Sequence, residues 1–225
     1  MFPLRDANPS RSFPLVTIIL IIMNILIFLY EVSLGRELNV FFDRFALIPV
    51  NFFNLASDSG FNYFGRFYPF VTSQFLHGGW LHMIGNVWFL WIFGDNIEDY
   101  LGHSKFIIFY LLCGVAAGLA HVYTNPGSSM PTVGASGAIA GIMGAYTVKY
   151  PKAKVLTLLF FFFFIRLVEL PAFIFLGIWF LFQFVSGAIA HVSGGASSGV
   201  AWWAHIGGFV VGVVLILLLP RRKYQ

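Results

Sequence analysis

Two residues of this sequence have the side chains needed for nucleophilic acyl transfer. Ser136 stands among small, apolar residues in the stretch PTVGASGAIAG, at the predicted start of a helix. His205 stands in the stretch AHIGG, near the start of another apolar helix. An imidazole beside a hydroxyl accepts the proton that the attacking oxygen loses. The pair therefore predicts a hydrolase, provided that the fold brings the two helices together.

The composition is that of a polytopic membrane protein. Hydrophobic residues make up 59% of the 225 residues and charged residues only 10%, which is too little polar surface to cover a soluble globule. The formal charge of +4 does not indicate nucleic-acid binding, because the basic residues fall between apolar segments and form no single patch. The lone Cys113 excludes an intramolecular disulfide.

Six apolar segments are predicted to cross the bilayer as helices. They are 14–32, 80–98, 104–123, 136–149, 171–189 and 200–219. The expected fold is therefore an all-α, six-helix membrane domain over 14–219, with a short cytoplasmic N-terminus (1–13) and a basic cytoplasmic tail (220–225). The long connection 33–78 is expected at the membrane interface. The segment 155–165 is too short to cross and is expected as an interfacial or dipping lead into the fifth span.

The basic residues predict the orientation of these spans. With the N-terminus inside, the inside segments hold Arg5, Arg11, Lys105, Lys149, Lys152, Lys154, Arg166, Arg221, Arg222 and Lys223. The remaining three, Arg36, Arg44 and Arg66, fall in one long outside loop, where the positive-inside rule counts them weakly. Both termini are thus expected in the cytoplasm. A short N-terminus without an Arg- and Ser-rich transit segment favours a prokaryotic plasma membrane.

Ser136 and His205 are predicted to lie at one depth in the bilayer. Counted from Lys149 and Arg221 at the inner boundary, with a rise of about 1.5 Å per residue, both lie roughly 20–24 Å from the inner face. Small residues recur along both helices, which allows the two helices to approach closely. The hydroxyl and the imidazole are therefore expected within hydrogen-bond reach, in a cavity that opens toward the connection 33–78.

The second span adds polar side chains at a similar depth. His82 and Asn86 are four residues apart and share a helical face. An oxyanion formed at Ser136 needs donors, and these two side chains together with the Ser136 backbone N–H supply them. The alternative for His82 and Asn86 is a plain interhelical hydrogen bond. His77, near the same end of the span, fits either a loop hydrogen bond or the oxyanion site.

Several stretches resemble the signature segments of the rhomboid family of intramembrane serine proteases. They are GASGAIAG, AHIGGFVVG and HGGWLHMIGN, supported by RFALIP at 44–49, GDNIE at 94–98 and the segment 171–183. The resemblance implies a six-helix fold with a water-filled cavity, Ser136 as nucleophile and His205 as base without an acidic third member. It also implies His82 and Asn86 as oxyanion donors.

The same resemblance assigns supporting residues. Gly134 and Gly137 belong to the active-site loop. Structural roles fall to Arg66, Glu98, Gly208 and Gly212. The chain departs from the family pattern at Gly65, where a Trp often precedes the loop arginine, and at Ala140, where some members carry an aromatic described as stacking on the histidine. The first departure bears on the anchoring of the loop, and the second suggests that another side chain orients His205.

Three function classes follow. The first is proteolysis of transmembrane protein substrates within the lipid bilayer, with no cofactor. The second is a metal-dependent membrane hydrolase or transporter with His77, His82 and His205 as ligands. The third is a non-catalytic relative that binds membrane clients. Apart from the family resemblance, the carboxylates Glu98 and Asp99 are expected to form a solvated helix end.

Overall fold

Helices account for most of the computed structural model, which describes residues 1–54, 63–161, 164–192 and 200–222. The helices of these residues are α1 (Leu15–Ser33), α2 (Leu38–Phe45), α3 (Pro49–Asn54), α4 (Pro69–Thr72), α5 (Trp80–Leu101), α6 (His103–Thr124), α7 (Ser136–Lys149), α8 (Ala172–Val192) and α9 (Trp202–Leu218), with 3-10 turns at Gly35–Glu37, Tyr63–Arg66 and Ser73–Phe75.

The six longest helices coincide with the six predicted spans to within a few residues at each end. Three of them, α1, α6 and α8, are long and apolar enough to cross a membrane, and α9 is a shorter apolar helix. Helix α5 is less apolar because it carries Asp95, Glu98 and Asp99, and α7 has only 14 residues. The predicted membrane fold, built mainly of helices, is confirmed.

Helix α7 lies at the centre of the bundle. Every residue from Gly137 to Tyr146 is buried, and α7 is the shortest of the six long helices, as expected. Its contact with α9 is a contact between backbones. A Cβ added to Gly208 would lie 2.0 Å from the carbonyl oxygen of Gly137, and one added to Gly212 would lie 2.0 Å from that of Gly141. The predicted close approach through small residues is therefore confirmed.

A three-stranded antiparallel sheet accompanies the helices and is absent from the all-α prediction. Its strands are β1 (Phe2–Asp6), β2 (Lys154–Phe161) and β3 (Phe164–Pro171), in the order β1-β2-β3. The expected interfacial lead at 155–165 thus lies in β2 and β3 where the structure describes it. Val155 and Thr157 are buried and alternate with more exposed neighbours, the pattern of a strand covered on one face.

The acidic end of α5 is buried against the start of α1, so the expected solvated helix end is wrong. Glu98 is 0% exposed and accepts hydrogen bonds from the N–H groups of Val16 and Thr17 at 2.8 and 2.7 Å. Those groups belong to the first turn of α1 and have no partner within the helix. Asp99 likewise accepts from the N–H and hydroxyl of Ser12 at 2.8 and 2.6 Å. Glu98 therefore caps α1 through its two side-chain oxygens, a structural role.

The connection 33–78 is tied to the bundle where the structure describes it. Leu47 and Thr132 exchange two backbone hydrogen bonds, at 3.1 and 2.8 Å, which joins the connection to the segment before α7. The guanidinium of Arg66 lies 5.4 Å from the ring centre of Phe52, and Phe52 packs edge-on against Tyr123 of α6. These contacts anchor the connection although Gly65 replaces the tryptophan.

Candidate active site

The first residue of α7 and the first turn of α9 meet through their polar side chains. The Oγ atom of Ser136 lies 2.8 Å from Nε2 of His205, within the range predicted from the sequence. The contact follows from the glycines, because Gly137 is next to Ser136 and Gly208 lies one turn after His205. Without side chains at these two positions, the helix backbones come close enough for the hydroxyl to reach the imidazole.

Gln183 of α8 holds the other ring nitrogen of His205. Its Oε1 atom lies 2.8 Å from Nδ1, and its side chain is buried. An amide oxygen only accepts hydrogen bonds, so Nδ1 carries a proton, and in the neutral imidazole Nε2 is then the acceptor that faces Ser136. No role for Gln183 is predicted from the sequence alone. The available signal was that Gln183 is the one carboxamide residue in the apolar sequence of α8.

Two tryptophans flank the imidazole of His205. The ring of Trp179 lies 6.0 Å away with a 38° tilt, and the ring of Trp202 lies 6.4 Å away, nearly perpendicular. The expectation that another side chain orients His205 in place of an aromatic at Ala140 is therefore confirmed. Gln183 fixes the ring through a hydrogen bond, and the tryptophans restrict its rotation by packing.

His82 and Asn86 of α5 lie beside Gly134, two residues before Ser136. The φ angle of Gly134 is +127°, a conformation that side chains rarely adopt. A Cβ at Gly134 would lie 2.7 Å from both Cε1 and Nε2 of His82 and 3.5 Å from Nδ2 of Asn86. Among the described residues, Nδ2 of Asn86 has no hydrogen-bond partner. A buried amide donor thus lies close to the serine loop.

A cavity of about 1590 Å³ joins these groups. Ser136, His205, His82, Asn86, Gln183 and Trp179 all line it. It extends past residues 124–133 and 200–203 to Asn39 and Phe42 of the connection 33–78, the side predicted from the depth of Ser136. The arrangement offers a hydroxyl nucleophile, a neutral imidazole and separate donors around one space.

His77 lies behind this cavity and does not line it. Its backbone N–H donates to the carboxylate of Glu31, and its ring packs against His82 at 5.3 Å. Burial, and next the neighbouring His82, lower the pKa of His77 to about 4, so the ring is neutral at pH 7. Across the described ranges, no three His, Cys, Asp or Glu side chains form a group that could hold a metal. The alternative ligand set His77, His82 and His205 therefore does not form such a group.

Comparison with known proteins gives the family. The family model described as Rhomboid domain matches residues 65–222. Rhomboid-like protein 11, chloroplastic, of Arabidopsis thaliana is 32% identical over 164 residues, which cover 70% of this chain and 54% of that protein. Rhomboid protein 1, mitochondrial, of Saccharomyces cerevisiae is 28% identical over 154 residues, or 64% of this chain and 39% of that protein.

A shorter match is to Presenilin-associated rhomboid-like protein A, mitochondrial, of Danio rerio. It is 37% identical over 91 residues, which cover 40% of this chain and 24% of that protein. The chain thus spans between about a quarter and about half of the length of these curated relatives. The match to the family model nevertheless covers well over half of the chain. This integral membrane protein belongs to the rhomboid family.

Proposed function

We propose that this protein is a serine endopeptidase that hydrolyses peptide bonds in or near the transmembrane segments of other membrane proteins. The observation that carries the proposal is the 2.8 Å contact between Ser136 Oγ and His205 Nε2, at the wall of a cavity large enough for an extended peptide segment. Membership of the rhomboid family, whose signature motifs include both residues, supports the same conclusion.

The chemistry proceeds in two acyl-transfer steps. Ser136 Oγ attacks the scissile carbonyl carbon while its proton passes to Nε2 of His205, and the carbonyl oxygen becomes an oxyanion. Asn86 Nδ2, the ring of His82 and the Ser136 backbone N–H donate to that oxyanion. His205 then protonates the leaving amine, and an ester remains on Ser136. Water attacks the ester while His205 takes one of its protons, and His205 returns that proton to Ser136 Oγ as the C–Oγ bond breaks and the carboxylic acid leaves.

Gln183 takes the place that a carboxylate holds in a three-residue arrangement. It fixes the tautomer of His205 through Nδ1 but brings no negative charge to stabilise an imidazolium. Ser136 and His205 therefore work as a catalytic dyad, and Gln183 is a neutral group that orients the imidazole. Burying an amide in α8 costs less than burying an unpaired carboxylate in the apolar interior.

The decisive experiment is incubation of the purified protein with a panel of single-span substrates, with the cut mapped by mass spectrometry. We expect cleavage by the wild type and none by Ser136→Ala, with equal thermal stability. Ser186→Ala, a matched substitution on α8 outside the cavity, should cleave normally. A fluorophosphonate probe should label the wild type and fail to label Ser136→Ala.

Other outcomes would favour the competing functions. Loss of cleavage on adding a chelator would favour the metal-dependent hydrolase. Substrate binding without cleavage or labelling would favour the non-catalytic client-binding relative. Retained cleavage by Ser136→Ala would overturn the proposed nucleophile.

We also propose that both termini lie in the cytoplasm. The distribution of Lys and Arg supports this orientation. The pairing of β1 with β2 also supports this orientation, because paired strands must lie on the same side of the membrane. Four long helices, α1, α5, α6 and α7, lie between the two strands in sequence, and an even number of crossings returns the chain to the side of the N-terminus. A prokaryotic plasma membrane stays a prediction, and the relatives named above are chloroplastic or mitochondrial. Labelling of Lys152→Cys from inside and Asn39→Cys from outside tests the orientation.

A further inference from the structure

Glu31 of α1 is a buried carboxylate that the proposed mechanism does not use. It is 1% exposed, and both of its oxygens face the backbone N–H of His77, at 3.2 and 3.1 Å. No cation pairs with it in the described part of the chain. An ionisable side chain inside a membrane helix is costly to bury, so its retention calls for a specific role.

The contact with His77 fixes the start of α5. His77 is followed by two glycines, Gly78 and Gly79, and α5 begins at Trp80. Helix α1 holds this turn at two points one helical turn apart. Glu31 binds the His77 N–H, and Phe28 packs edge-on against the rings of both His77 and Trp80, at 6.2 and 4.9 Å. A turn rich in glycine has little stiffness of its own, so these contacts determine where it lies.

The position of His77 determines the position of His82. The two rings lie 5.3 Å apart at an angle of 71°, and the Cε1–Nε2 edge of the His82 ring lies against Gly134. Gly134 is itself held by a 2.9 Å hydrogen bond from its N–H to the carbonyl of Ser73. The imidazole of His82 is therefore confined between His77 and the loop that leads to Ser136.

We infer that Glu31 is a positioning residue for the oxyanion donor His82, acting through the backbone and ring of His77. The inference rests on the proposed proteolytic function. Glu31 itself does not line the cavity, so it touches no substrate. Its role is to hold the turn before α5 so that the His82 ring stays at the distance from Ser136 that an oxyanion requires.

The test is a double-mutant cycle of Glu31→Ala and His82→Ala, assayed by cleavage of a single-span substrate. Glu31→Ala should lower kcat about 10- to 100-fold, less than the roughly 10²–10³-fold loss on removing a donor outright, with KM nearly unchanged. When His82 is already alanine, Glu31→Ala should lower kcat by less than about twofold, because both substitutions remove the same contribution, that of the His82 ring to oxyanion binding.

Two further variants separate positioning from general stability. Glu31→Gln keeps an oxygen acceptor for the His77 N–H and should recover most of kcat. Glu37→Ala, an exposed glutamate beyond the end of α1, should behave as wild type. If Glu31→Ala and His82→Ala lower kcat independently, or if Glu31→Gln is as slow as Glu31→Ala, the inference is overturned while the proposed function stands.

Hydrogen exchange gives a readout that does not depend on cleavage. Glu31→Ala should speed amide exchange in peptides that span 76–82, whereas Glu37→Ala should not. Unchanged exchange there would show that Glu31 does not hold the turn. A wild type that neither cleaves nor is labelled at Ser136 would instead remove the proposed function, and the role inferred for Glu31 in oxyanion binding with it.

Discussion

Replacing Gly208 by alanine is the sharpest test of how α9 carries His205 to Ser136. A methyl group there would start 2.0 Å from the carbonyl oxygen of Gly137 and 2.9 Å from its carbonyl carbon. Carbon and oxygen in weak contact lie about 3.3 Å apart, so the helices must separate by roughly 1.3 Å. The obstacle is backbone and not a flexible side chain, so a change of rotamer cannot relieve the clash.

That separation acts directly on the reacting pair. Ser136 precedes Gly137, and His205 is one turn before Gly208, so the 2.8 Å contact should lengthen to roughly 4 Å. A misplacement of about 1 Å can cost about 10²-fold in rate, and overpacking of a core costs about 1–3 kcal/mol. We therefore expect Gly208→Ala to lower kcat about 100-fold and to lower the midpoint of thermal unfolding.

The assay is cleavage of a single-span substrate together with thermal unfolding in the same detergent. Gly177→Ala is the matched control, because a Cβ at this position of α8 meets nothing within 4 Å. It should leave kcat unchanged and leave stability unchanged or raise it slightly, since alanine favours helix over glycine. Wild-type rate and stability in Gly208→Ala would refute the backbone contact as the basis of the site.

Three further predictions concern residues around the bundle. Asn86→Ala should lower kcat about 10²–10³-fold at unchanged thermal stability, and a normal rate would make Asn86 an interhelical tie only. Glu98→Ala should lower the free energy of unfolding by about 1–3 kcal/mol, because it leaves buried N–H groups of α1 without acceptors; unfolding curves equal to those of the wild type would contradict the cap. Burial raises the pKa of Asp6 from 3.8 to about 6, so the folded state binds this proton more tightly than the unfolded chain. Wild-type stability relative to Asp6→Asn should therefore fall as the pH rises from about 4 to about 6, and a relative stability that rises over this interval would contradict the assignment.

The reacting residues were predictable because polar groups are conspicuous in apolar helices. Ser136 and His205 stand in segments with few other polar side chains, and counting residues from the basic boundaries gave them one depth. The glycines near them, such as Gly208, indicated that the helices could touch. Helix bounds followed from the lengths of the apolar segments, since a span needs a minimum number of residues.

Contacts that depend on distant partners were not predictable in the same way. Gln183 faces His205 only because α8 packs beside α9, and the residues around position 183 do not indicate this packing. Glu98 is buried because it binds N–H groups 81 and 82 residues earlier in the chain, whereas an acidic helix end is usually hydrated. The strand β2 was missed because its less buried residues, such as Leu156 and Leu158, are as apolar as the buried Val155, so the sequence shows no alternation of apolar and polar positions.

The antiparallel pairing of β1 with β2 has a consequence for biogenesis. Residues 2–6 find their partners at 155–158, so the ribosome must deliver four long helices before this sheet can begin to form. Contacts between residues so far apart in sequence form late in folding. Because Asp6 in β1 accepts a 2.6 Å hydrogen bond from Tyr146 near the end of α7, that late closure also completes the support of the helix that begins at Ser136. In a nascent chain, α7 is therefore synthesised and inserted before the contact between Asp6 and Tyr146 fixes its C-terminal end.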